Sequence, residues 1–153
     1  MPVMNLARNN LGNSWVRTFR TAQDGAIAVE FALVFPVFLL VVFGIIVYGS
    51  YLAVVHGVQQ LAAEAARSSI AGLTESERST LASAYVTGNA GSYPLIDPAH
   101  LTVTAATSGS DANVFVVKVN YDASSMFIYS LPTFVPAPPA TIVRSAAIPR
   151  GGY

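Results

Sequence analysis

The stretch Phe31–Val55, FALVFPVFLLVVFGIIVYGSYLAVV, contains no Lys, Arg, Asp, Glu or His in 25 consecutive residues. As an α-helix rising ~1.5 Å per residue it reaches roughly 37 Å, more than the ~30 Å hydrocarbon core of a bilayer. A helix satisfies its own backbone polar groups in lipid, which a lone strand cannot do. Apolar runs of buried core helices are usually only about 10–14 residues long. The run therefore reads as a transmembrane helix, assigned to residues 26–55. Before it lie Arg8, Arg17 and Arg20, with Asp24 the only acid; after it come His56, Gln59, Gln60, Glu64 and Arg67, with no cationic excess. The positive-inside rule then expects residues 1–25 to stay in the cytoplasm and residues 56–153 to lie outside. The run is too long for the apolar region of a cleaved secretory signal, so release of the outer part by signal peptidase is not expected.

The rest of the composition agrees. Of 153 residues only 10% are charged, with eight Lys/Arg balancing eight Asp/Glu, against about 25% charged in soluble domains. A phosphate-gripping nucleic-acid binder needs a basic excess, so no nucleic-acid partner is expected. Cysteine is absent, which removes disulfides, thiolate metal sites and Cys nucleophiles. His56 and His100 are the two imidazoles, and neither falls in a His-Glu-x-x-His spacing. No Gly-x-Ser-x-Gly elbow and no phosphate-binding Gly-x4-Gly-Lys-Ser/Thr loop occurs. Asp97, Asp111 and Asp122 stand in turn-rich sequence, where Asp commonly bonds its own backbone. The expectation is a non-enzyme with no catalytic residue, metal, cofactor or small-molecule substrate.

One acid interrupts the apolar pattern. Glu30 lies in Gly25-Ala26-Ile27-Ala28-Val29-Glu30-Phe31, with apolar neighbours on both sides. A carboxylate at the bilayer centre costs roughly 2.5–3.5 kcal/mol on insertion scales and less toward the edge. Two roles are open to it from the residues alone: a functional group in search of a cation, or an acid resting at the headgroup level near Arg20. The whole arrangement, a basic leader ending in Gly25, then Glu30, Phe31, Pro36 and the long apolar helix, resembles type IV prepilins. It is more closely similar to the TadE-like pseudopilins of the Tad (Flp) pilus system. Residues 25–40, then Gly44-Ile45-Ile46, Gly49 and Leu61-Ala62-Ala63-Glu64-Ala65-Ala66-Arg67 carry the resemblance.

The resemblance implies cleavage between Gly25 and Ala26 by a membrane-embedded prepilin peptidase. Glu30 becomes the fifth mature residue, beside Phe31, and its carboxylate neutralises the new α-amino group within one chain or between neighbours. Low dielectric makes either charge costly when unpaired. The implied setting is the bacterial inner membrane, with a periplasmic C-terminal domain and other pseudopilins or pilus-assembly platform proteins as partners. Val47 and Tyr48 stand where many members carry an acid just before the glycine matching Gly49, which leaves the pseudopilin subtype open. The alternative reading is a signal-anchored periplasmic binding or sensory module that is not processed.

The remainder predicts an α+β fold: a long N-terminal transmembrane helix continuing into a small outer domain with a short second helix and an antiparallel sheet of about three strands. Gly49, Ala53 and Gly57 recur every four residues, a spacing of small residues that admits a neighbouring helix. Pro36 removes a backbone hydrogen bond toward Ala32, which membrane helices tolerate. Tyr51, Val55, Val58, Ala62 and Ala65 mark the face expected to pack on the outer domain, with the helix running to Ser68–Gly72. Thr74-Glu75-Ser76-Glu77 is a capping-box pattern predicting a helix that ends before Gly88. Strands are expected over residues 101–105, 114–121 and 141–146, the first two joined through Ser108-Gly109-Ser110-Asp111. Between the last two, Met126-Phe127-Ile128-Tyr129, Phe134 and Val135 are expected to cover the core, beside a proline-rich stretch unfit for a central strand.

Overall fold

In a computed structural model of the chain, residues 23–131 and 135–150 are described. The leader arginines Arg8, Arg17 and Arg20, and Phe134 of the proline-rich stretch, lie outside the described residues. The chain divides into two compact units, with the boundary between Val41 and Val42.

Helix α1 covers Gln23–Ser68 and includes Pro36. Its stretch Gly25–Ala71, counted with the 3-10 turn Ser69–Ala71, is long and apolar enough to cross a membrane, with a mean hydropathy of 2.8 in its most apolar window. In the first unit its large side chains point outward on every side: Ile27, Val29, Phe31, Leu33, Val34, Val37 and Phe38 are all exposed. A helix that is apolar all round and covered by no protein is the kind that lipid solvates.

The second unit is an α+β domain. Helix α1 contributes Val47, Val54, Val55, Val58, Leu61, Ala62, Ala65 and Ala66 to its core. The expected face of Val55, Val58, Ala62 and Ala65 is therefore buried, with Tyr51 packed against it. Several residues of the apolar run assigned to the membrane, Val47, Val54 and Val55, thus belong to the core of the folded domain. Helix α2 covers Glu75–Asn89 and runs past Gly88, where the sequence pattern predicted its end. Glycine lowers helix propensity by about 1 kcal/mol without abolishing it, and Asn89 donates from its side chain to the Tyr85 carbonyl at 2.8 Å, one turn back. The capping box forms as read: Glu77 N–H donates to Thr74 Oγ1 at 3.2 Å and Thr74 N–H donates to Glu77 Oε2 at 3.0 Å.

Strands β1 (Leu101–Thr107), β2 (Val114–Asp122) and β3 (Thr141–Pro149) form an antiparallel sheet in the order β1-β2-β3. Each is a little longer than its predicted run. Register places Val117 opposite Ala105 and Ala146, and Tyr121 opposite Leu101 and Ile142. Alternation puts Phe115, Val117, Val119 and Tyr121 into the core while Lys118 and Asn120 face out. Met126 and Ile128 are buried, as expected of the excursion between β2 and β3, but Phe127 is exposed.

Candidate functional site

The residues singled out by the sequence fall on α1. Gly25 and Ala26 lie within its first turn or so, and Glu30 is four residues beyond Ala26, one turn along. Glu30 is exposed among the exposed apolar side chains Ile27, Val29, Phe31 and Leu33. Among the described residues it has no ion-pair partner. Phe31, next to Glu30, stacks on Phe35 with ring centroids 5.1 Å apart.

The three small residues divide. Gly49 and Ala53 face outward, and a Cβ at Gly49 would meet nothing within 4 Å. Gly57 is buried, and a Cβ there would approach Ile96 Cδ1 to 2.9 Å and Tyr93 Cδ1 to 3.4 Å. Its closeness serves the chain's own loop, not a second helix. The i, i+4 spacing could not distinguish these uses, because both require the same small side chain.

Both histidines are engaged locally. His56 Nδ1 lies 2.8 Å from the Leu52 carbonyl, and His100 Nε2 is 3.8 Å from Asp97 Oδ2. Asp97, Asp111 and Asp122 each accept from a backbone N–H two residues on, as their turn context predicted. The Ser124 N–H holds the Asp122 carboxyl below its ordinary range. Among the described residues no three His, Asp or Glu side chains gather in a metal-binding cluster. An open cleft of about 540 Å³ lies between the Leu95–Pro98 turn and Met126–Phe127. Its shape is fixed by Tyr121, whose hydroxyl donates to the Leu95 carbonyl and accepts from the Asp97 N–H, both at 3.3 Å. Leu95 holds a left-handed φ of 65°, a conformation costly for a side chain with a Cβ.

Two polar devices were not read from the sequence. Glu75 accepts from Thr107 Oγ1 at 2.7 Å and from Thr107 N–H at 3.2 Å, tying the start of α2 to the end of β1. These bonds, with the Arg150 charge nearby, hold its carboxyl below the ordinary range. Arg78 donates from Nε to the Gly72 carbonyl at 2.9 Å, and its guanidinium lies 6.0 Å from the Phe115 ring centroid. Gly72 is required there, since a Cβ would come within 2.7 Å of the Arg78 backbone nitrogen. No local pattern announces either contact, because the partners are brought together only by the fold.

No curated protein and no solved structure matches the chain. The family model described as TadE-like protein matches residues 25–67. That match begins at the glycine of the proposed processing site, continues through Glu30 and the apolar run, and ends at Arg67. Across this segment the chain is similar to the TadE-like proteins.

Proposed function

We propose that the chain is a pseudopilin of a Tad-type pilus, anchored by α1 in the bacterial inner membrane with its N-terminus in the cytoplasm and its α+β domain in the periplasm. A prepilin peptidase cuts after Gly25, and the chain is that enzyme's substrate, performing no catalysis of its own. The new amine on Ala26 and the carboxylate of Glu30 are one helical turn apart, near the end of an otherwise uncharged surface. They neutralise each other within a subunit or across a pair of subunits, which guides docking to other pseudopilins or to the assembly platform. Leader cations Arg8, Arg17 and Arg20 set the orientation.

The observation that carries this reading is the family match starting at Gly25, with Glu30 five residues later in the sequence. Mass spectrometry of the protein from its native host tests it. A chain starting at Ala26, dependent on the prepilin peptidase, is expected; a functional chain that keeps residues 1–25 overturns it in favour of the signal-anchored module. Glu30→Ala is expected to be processed yet to reduce piliation, measured by filament counts.

A further inference from the structure

A second uncharged segment lies against α1. From Ala123 through Val143 the sequence again holds no Lys, Arg, Asp, Glu or His, while Glu64 to Asp122 carries most of the outer domain's charges. The described residues of this segment fold over α1. Ile128, Tyr129, Leu131, Val135 and Ala137 enclose a small gap with Phe43 and Val47, and Tyr48 donates its hydroxyl to the Pro136 carbonyl at 3.1 Å. Tyr129 in turn donates to the Pro138 and Pro139 carbonyls at 3.2 and 3.0 Å. Burial raises the Tyr129 hydroxyl above its ordinary range.

This strap meets α1 at one particular level. From Ile27 to Ile46 the large side chains of α1 are mostly exposed, and Val47 is the first buried hydrophobic. Those 20 residues, counted from the sequence, make about 30 Å of helix, one hydrocarbon thickness. Tyr48 and Tyr51 follow directly on that length in the sequence, and Tyr129 lines the gap beside Val47. Tyrosine favours the membrane–water boundary, with its ring toward the acyl chains and its hydroxyl toward polar groups. A segment pressed against that boundary gains by lacking charge, because each charge brought near lipid must be stripped of water.

The geometry points to a lipid-contact role for the strap: Tyr129, Leu131 and Val135–Pro139 rest in the headgroup layer and set the depth at which α1 sits. The inference rests on the membrane-anchor reading, and the test separates the two. The chain has no cysteine, so single-cysteine variants of the full-length protein each take one nitroxide label. Phe35→Cys reports the span, Ala137→Cys the strap and Thr104→Cys the outer face of β1; all three positions are exposed. In phosphatidylcholine–phosphatidylglycerol vesicles, label relaxation by oxygen, which concentrates in lipid, is compared with relaxation by a water-soluble nickel chelate. The expected oxygen-to-nickel ratio is high at residue 35, low at 104 and clearly above the 104 value at 137. A ratio at 137 equal to that at 104, with residue 35 lipid-like, overturns the strap's role. A water-like ratio at residue 35 overturns the anchor itself and the strap with it.

Discussion

Helix α1 carries two stretches of apolar side chains in opposite surroundings. Between Ile27 and Phe38 the exposed side chains are large and encircle the helix. Between Val54 and Ala66 the buried ones are Val, Leu and Ala, and they share the core with Phe115, Val117, Val119 and Tyr121. In the second stretch Gln59, Gln60 and Glu64, with Arg67 just beyond it, occupy the surface left uncovered. Hydropathy measures the first property, transfer out of water, and does not say what replaces the water. Side-chain size and the return of polar residues at helical intervals do. A close-packed core constrains the size of each side chain that enters it, whereas lipid chains adapt to the side chains they meet.

Shortening one leucine in each stretch separates the two environments most strongly. Leu61 is fully buried and Leu33 is 73% exposed. Leu61→Ala is expected to destabilise the outer domain by about 2–5 kcal/mol. Leu33→Ala is expected to leave it within about 0.5 kcal/mol. Thermal unfolding of both full-length variants in the same detergent, followed by near-ultraviolet circular dichroism, measures the difference. Equal losses would mean that the two stretches share one environment.

A smaller effect tests how α2 is held to the domain that α1 serves. Thr74→Ala removes the acceptor for the Glu77 N–H and is expected to cost about 0.5–2 kcal/mol, read as a lower denaturant midpoint with an unchanged slope. Smaller again is the pH response. Both Glu75 and Glu77 are held below the ordinary carboxyl value of 4.5, Glu75 chiefly by the Thr107 hydroxyl and Glu77 chiefly by the Thr74 N–H. A carboxyl with a lowered folded-state pKa contributes its stability fully above its unfolded value and loses it as pH falls through the folded one. Stability should therefore be flat with respect to these groups above about pH 4.5 and decline below it. Glu75→Gln should weaken that decline, measured by denaturant melts at stepped pH. An unchanged acid limb would show that the bond to Thr107 contributes nothing.

The local elements were legible because local physics fixes them. Thr74 and Glu77 announce the start of α2, and two-residue alternation announces the strands. The family resemblance was legible from residues 20–70, and the family match to residues 25–67 falls within that stretch. Four features were hidden for a common reason. The inward use of Gly57, the burial of Val47 and Val54 at the end of an apparent span, the tie from Glu75 to Thr107, and the bond from Tyr48 to Pro136 all join residues distant in sequence. Gly88 misled in the opposite direction: a local stop signal was overridden by the continuing helix and the bond from Asn89.

The sheet is a simple meander in which every strand lies beside the strand that precedes it along the chain. Pairing of that kind closes loops of modest length and needs no later segment to thread between earlier ones. A polypeptide delivered from its N-terminus can therefore set β1 against α2, zip β2 onto β1, and receive β3 last. Because β3 follows the uncharged strap in the chain, pairing of β3 with β2 also fixes the C-terminal end of that strap.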